Sequence, residues 1–248
     1  MAHDASVLPT QNERYFLLRR LHALSGVVPL GVFLLQHLYA HTYIFWSDKA
    51  WNEHGEAIQA IPVLPVIEIG LVAALLFHGV YGFYLTYEAK QNATQYPYLR
   101  NWMFDIQRWS GVALFVMIGY HVYHTRWNYL VNGVEPDAAY MYNYIGSGSV
   151  LGIPANIFYV VFCVFAAVHF ANGMFSILCK WGIAITARAQ KLAALACFGL
   201  FLALAGMGVG AAVIFGWGKP RTEEAGKHHA VLAETASEAP ALPEASGN

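Results

Sequence analysis

Four histidines stand inside long apolar runs: His37, His78, His121 and His169. An imidazole in hydrocarbon needs a partner, and an ionisable residue at membrane depth is a functional candidate by default. A lone histidine of this kind more often bonds a neighbouring helix or lines a polar cavity. Four of them, one on each of four runs, follow a pattern of depth. His37 lies 17 residues past Arg20 and His121 lies 13 past Arg108. His78 lies 10 before Glu88 and His169 lies 11 before Lys180. At ~1.5 Å per residue these are depths of roughly 25, 20, 15 and 16 Å from one edge. His37 and His121 therefore form one layer, and His78 and His169 another. Imidazole is a standard axial ligand of haem iron. Two layers of two histidines predict two haems, one above the other, each iron held by two helices.

Small residues accompany the histidines. Gly82 follows His78 by four positions and Gly173 follows His169 by four, so each shares its histidine's helix face. Ser25-Gly26 and Ser110-Gly111 recur near the starts of the first and third runs. Gly26, 11 residues before His37, lies about three turns down the same face, toward the inner layer. "HLYAH" and "HVYH" add a second histidine, His41 and His124, one turn beyond the first. Both are expected to contact headgroups, water, a haem propionate or a quinone, with the iron left to His37 and His121. His22, Arg19 and Arg20 form a polar trio at the inner edge. They are expected to serve as propionate partners or a docking surface, with lipid anchoring as the alternative. Arg108 is a further contact of the same kind.

The elements that must position these residues are membrane helices. The 248 residues are 57% hydrophobic and 12% charged, with a mean hydropathy of +0.42. Soluble domains carry about twice that charge. Charge-free runs mark five spans: 21–47, 69–87, 109–125, 138–180 (entering the membrane near Gly152) and 192–218. Each holds the ~17–25 apolar residues that a crossing helix needs. The first run is too long for a signal-peptide core. Arg14, Arg19, Arg20, Lys90, Arg100, Arg108, Lys180, Arg188 and Lys191 fall on one side, against Lys49, Arg126, Lys219, Arg221 and Lys227 on the other. The excess of positive charge makes the first side cytoplasmic, so the N-terminus is inside and the C-terminus outside.

The expected fold is an all-α integral membrane protein, with spans 1–4 forming the haem-binding bundle. A cytoplasmic segment (1–20) precedes the five-helix domain (21–217), and an Ala/Glu/Pro/Ser-rich tail (218–248) that cannot fold alone follows it. His228 and His229 are expected to be exposed there. Cys163, Cys179 and Cys197 lack metal or disulfide spacing and read as small buried hydrophobes.

The segments "RRLHALSGVVPLGVFLLQHL", "FHGVYGFYLTYEAKQNATQYPYLRNWMFDIQRWSG", "GYHVYHTRW" and "VHFANGMFSILCKWGIAITARAQ" resemble the five-helix, two-haem cytochrome b membrane anchor of bacterial succinate dehydrogenase and fumarate reductase. The resemblance runs from about Arg14 to Trp217. It implies that His37 and His121 bind an outer, low-potential haem b, and His78 and His169 an inner, high-potential one. It implies flavoprotein and iron–sulfur subunits docked on the cytoplasmic side, and a lipid quinone, expected to be menaquinone, as electron partner. The chain would sit among the lipids of the bacterial cytoplasmic membrane and would have no nucleic-acid partner. No dinucleotide fingerprint or cysteine cluster equips it for succinate chemistry, so its part would be electron transfer, with the quinone site in this chain. Glu68, at the outer start of span 2, is the candidate for quinone proton transfer. The alternative for Glu68 is an exposed acid favoured by the helix dipole. Tyr39 and Trp127 are nearby quinone candidates. Two competing readings are the di-haem subunit of a hydrogenase or formate dehydrogenase, and a histidine-bearing transporter. Broken midplane helices and inverted repeats would favour the transporter.

Overall fold

The computed structural model describes residues 7–90 and 93–221, with side chains from residue 13 onward. Nine α-helices account for most of the described chain: α1 (Val7–Val27), α2 (Pro29–His41), α3 (Asp48–Gln59), α4 (Leu64–Tyr87), α5 (Leu99–Val122), α6 (Asn128–Asn132), α7 (Ala138–Ser147), α8 (Ala155–Lys180) and α9 (Ala187–Trp217). A 3₁₀ turn (Thr42–Phe45) follows α2 and a π-helical turn (Tyr123–Trp127) follows α5. Two two-residue strands, Ser149–Val150 and Ile153–Pro154, pair as a hairpin before α8. The fold is all-α, and this hairpin is the one departure from helix and loop among the described residues. Leu151 at φ 51° and Gly152 at φ 81° make the turn, and both lie in a charge-free run that gave no sign of it.

Sequence logic is visible at the element ends. Pro29 has no N–H to donate, so the first span is interrupted at Val28 and restarts with proline in its first turn. Val28 keeps right-handed helical angles, and the interruption is a kink, without the unwound segment of a transporter site. Ser47 caps α3 by accepting from Ala50 N–H at 3.0 Å. Asp137 does the same for α7 from Tyr140 N–H at 2.7 Å, and Thr186 for α9 from Ala189 N–H at 3.1 Å.

By length and composition, four stretches are apolar enough to cross a membrane: Glu13–Phe45, Leu64–Tyr87, Ala155–Lys180 and Ala187–Trp217. The 24-residue α5 carries Arg100, Asp105 and Arg108 in its first half and is apolar from Trp109 onward. Large apolar side chains such as Val66, Ile69, Val80, Val116 and Leu192 face outward, as lipid-exposed residues do.

α8 and α9 pack along their length, where small residues allow close approach. A side chain at Gly208 would lie 3.0 Å from Cys163, and Ala167 and Leu204 are fully buried there with Leu38. The main core is at the far end, opposite Arg19, Arg20 and Arg108. Ile44, Met141, Tyr142, Ile145, Val150, Phe158, Tyr159 and Phe215 close it, so α3, α7 and the hairpin cap the bundle. Cys197 is buried and Cys163 and Cys179 partly so, all three as free thiols.

α1 begins at Val7, so much of 1–20 is helix that runs on toward the first span. The first tail residues are held: Arg221 N–H donates to buried Asp48 at 2.6 Å, and its guanidinium donates to the Ile44 carbonyl at 3.0 Å. The remainder of the tail, with His228 and His229, lies outside the described residues.

Candidate functional site

The four histidines meet in the two expected pairs. His37 on α2 faces His121 on α5, with ring centres 5.9 Å apart. His78 on α4 faces His169 on α8 at 6.3 Å. Two imidazoles on opposite sides of one metal ion, each nitrogen about 2 Å from it, have ring centres roughly 6 Å apart. Both pairs fit that geometry. Among the described residues no group of three or more His, Cys, Asp and Glu is placed to hold an ion by itself. Each pair thus suits an iron that brings its own equatorial ligands, as haem iron does.

Each pair has its own surroundings. At the basic end, His78 Nδ1 lies 3.0 Å from the His22 carbonyl and 3.3 Å from Ser25 Oγ. His169 Nδ1 lies 3.0 Å from Ser110 Oγ, and the Gln107 amide nitrogen lies 3.3 Å from both ring nitrogens. The His22 ring stacks on His78, centres 4.1 Å apart and planes 7° apart. Glycine is required where these rings approach a helix. A Cβ at Gly26 would sit 2.5 Å from His78 Cε1, and one at Gly111 would sit 2.9 Å from His169 Cε1. A Cβ at Gly82 would lie 3.3 Å from His22 Nε2. Gly173 faces Gln107 Nε2 at 3.4 Å.

The other polar candidates at this end divide. Tyr15, Arg19, Leu85, Glu88, Phe104 and Arg108 line a cleft of about 350 Å³. Arg108 Nε and the Tyr81 hydroxyl are buried, and no hydrogen-bond partner is found for either among the described residues. With Arg19 and Arg108 set against the single carboxylate of Glu88, the cleft has the excess of guanidinium that a propionate contact requires. Arg20 is committed elsewhere. Its guanidinium lies over Phe16 and Trp181, 4.9 and 5.2 Å from the ring centres, and reaches the Lys180 carbonyl at 3.4 Å.

At the far end, His121 Nδ1 lies 3.3 Å from the Tyr159 hydroxyl. His41 Nε2 lies 3.1 Å from His37 Nε2, with the His41 ring 4.8 Å from Trp51. His124 is turned away from the pair and packs between Tyr120 and Tyr144 at 4.3 and 5.2 Å. Tyr39 and Trp127 face outward, both more than half exposed.

Glu68 is not a free acid at a helix start. Arg126 Nη2 donates to it at 2.9 Å, Nε lies 2.7 Å from its other oxygen as an ion pair, and Nη1 donates to Gln59 at 2.8 Å. A charged guanidinium–carboxylate hydrogen bond is stronger than a neutral one. Arg126 sits in the π-helical turn. Around that turn Thr125 donates to the His121 carbonyl at 2.7 Å and Tyr140 to the His124 carbonyl at 2.8 Å. Sequence reasoning recorded Arg126 only as an outer charge. Nothing in the sequence pairs it with an acid 58 positions earlier.

A helical bundle of apolar spans enclosing two partly buried imidazole pairs defines a multi-pass membrane protein. The model of the succinate dehydrogenase/fumarate reductase transmembrane subunit family matches residues 89–208. The chain is also 36% identical over 203 residues to the succinate dehydrogenase cytochrome b558 subunit of Bacillus subtilis strain 168, covering 82% of this chain and 98% of that one. It belongs to the cytochrome b membrane subunits of succinate dehydrogenase and fumarate reductase, and the bacterial relative supports the cytoplasmic membrane as its location. No solved structure matches.

Proposed function

We propose that the chain is the di-haem electron-transfer subunit of a succinate:quinone oxidoreductase. It would cross the membrane five times with the basic end cytoplasmic. The observation that carries this reading is the meeting of four partly buried histidines from four helices in two separate pairs, at spacings of 5.9 and 6.3 Å. The named relative, a cytochrome b558 subunit, supports haem b as the group held. Bound haems supply one-electron redox chemistry at two depths. His78 and His169 would hold the inner one, with His22, Ser25, Gly26, Gly82, Gly173, Arg19 and Arg108 around it. His37 and His121 would hold the outer one, with His41 close by. The basic residues at the inner end, Arg14, Lys90, Arg100, Arg188 and Lys191 among them, would face the iron–sulfur and flavoprotein subunits, where succinate or fumarate reacts.

Electrons that reach the outer pair need an acceptor or donor there, and a lipid quinone of the menaquinone type fills that role. Reducing a quinone consumes protons as well as electrons, and Glu68 is the carboxylate placed to exchange them with the exterior. Its engagement by Arg126 gives the site a fixed geometry. In the assembled complex, Glu68→Gln keeps both haems and lowers quinone turnover by roughly tenfold or more. Unchanged turnover removes Glu68 from the mechanism.

The reading as a whole is tested by a reduced-minus-oxidised spectrum of the purified chain, with haem counted per polypeptide and titrated potentiometrically. Two b-type haems at separate potentials are expected. A haem-free chain overturns the proposal.

A further inference from the structure

Ser25 and Ser110 occupy equivalent places on α1 and α5, and each spends its single proton in the same way. Ser25 Oγ donates to the carbonyl of His22 at 2.9 Å, and Ser110 Oγ donates to that of Gln107 at 3.3 Å. Each carbonyl is three residues back. With its proton committed, a serine hydroxyl offers only lone pairs to anything else. The next polar atom is in each case the Nδ1 of a histidine on another helix: His78 at 3.3 Å and His169 at 3.0 Å. A lone pair binds Nδ1 only when that nitrogen carries the proton. The proton is then absent from Nε2, and the Nε2 lone pair is free. The glycine after each serine leaves space for the same ring, within 2.5 Å at Gly26 and 2.9 Å at Gly111 of where a Cβ would be.

We infer that the two Ser-Gly pairs are a duplicated device that fixes the tautomer and orientation of the inner histidines, and that Ser110 is the stronger of the two positioning residues. The inference rests on His78 and His169 being the inner haem ligands. A serine that bonds back to its own helix merely to satisfy itself is common in apolar helices. That explanation accounts for the donated bond. It does not account for a second bond to a histidine from both serines, nor for a glycine at the same next position in both copies.

The two copies differ in one useful respect. His78 Nδ1 has the His22 carbonyl at 3.0 Å as well as Ser25. Ser110 is 5% exposed, and its oxygen lies closer to its histidine than that of Ser25, 3.0 Å against 3.3 Å. Removing Ser110 therefore takes away the shortest contact of the His169 Nδ1–H, whereas removing Ser25 leaves His78 the carbonyl at 3.0 Å.

An accepting partner on Nδ1 makes the imidazole a better donor to iron, which favours the ferric state. Ser110→Ala should weaken that preference about tenfold, an upward shift of about 59 mV for a one-electron couple. The shift should be confined to the inner haem. Ser25→Ala should move the same haem by less. The experiment is a potentiometric titration of the haem-loaded chain in its membranes, with low-temperature electron paramagnetic resonance of the ferric haems. A shifted inner haem beside an unshifted outer haem, larger for Ser110 than for Ser25, supports the assignment. Full haem content with no shift in Ser110→Ala, or the reverse order of effects, overturns it. Should Ser110→Ala lose the inner haem, Ser110→Thr decides. A hydroxyl that restores the haem near its native potential supports the role, and continued loss overturns it. Failure of the ligand reading itself would look different: His169→Ala would keep its inner haem whatever the serine variants do.

Discussion

If the chain holds two haems as proposed, replacing His169 with alanine is expected to lower the haem content of the purified chain from two per polypeptide to one, with loss of the haem of higher midpoint potential. His78→Ala is expected to do the same, because on that reading both rings serve one iron. The low-potential haem at the far end is expected to remain. The converse holds for His37→Ala and His121→Ala. The ring pairing supplies the logic: 6.3 Å separates His78 from His169 and 5.9 Å separates His37 from His121, so each variant strips a ligand from one layer only. His124→Ala is the internal control. Its ring lies between Tyr120 and Tyr144, and both haems should stay. Full haem content in His78→Ala or His169→Ala refutes the ligand assignment. Loss of both haems from every variant would mean that the layers are not independent.

A comparable loss, of stability this time, is expected at Asp48. Its side chain is buried, 2% exposed, and joins three parts of the chain. It accepts from the Tyr142 hydroxyl at 3.2 Å and from Arg221 N–H at 2.6 Å, with the Arg221 guanidinium 3.9 Å away. Asp48→Ala leaves the Tyr142 hydroxyl without an acceptor inside the main core, while the exposed Arg221 can turn to water. A stranded buried donor costs about 1–3 kcal/mol, so the variant should melt about 3–10 °C lower. Asp48→Asn keeps an acceptor oxygen and should fall between the two. A thermal melt of the detergent-solubilised chain measures it. An Asp48→Ala chain that melts with the parent would mean that the far-end cap is held by apolar packing alone.

The parts of this architecture that were readable in the sequence are those with a one-dimensional signature. Charge-free runs mark the long helices, because lipid-facing residues must be apolar. Distance from a basic edge sorts His37 and His121 from His78 and His169, because a helix converts residue count into depth. Features set by tertiary contact were not readable. α3 and α7 were missed as helices, although Ser47-Asp48 and Asp137 are ordinary capping residues that could have flagged them. The pairing of Glu68 with Arg126 has no local trace. The repeat of Ser-Gly was visible, but its reason was not, since that depends on which ring lies opposite. That Gly82 lies against His22 could not be read from the sequence either, because His22 comes from another helix.

The π-helical turn at Tyr123–Trp127 acts as a phase shifter in the third long helix. An α-helix advances about 100° per residue, and a turn of i→i+5 bonds inserts one residue beyond that rhythm. Everything after it is rotated relative to everything before it. His121 precedes the turn and looks into the bundle, whereas Arg126 lies within it and reaches Glu68 across to α4. A helix of uniform pitch would link those two directions rigidly, so that aiming one would mis-aim the other. The extra residue uncouples them. Imidazole placement and charge placement can then each be adjusted without disturbing the other, on a single continuous rod.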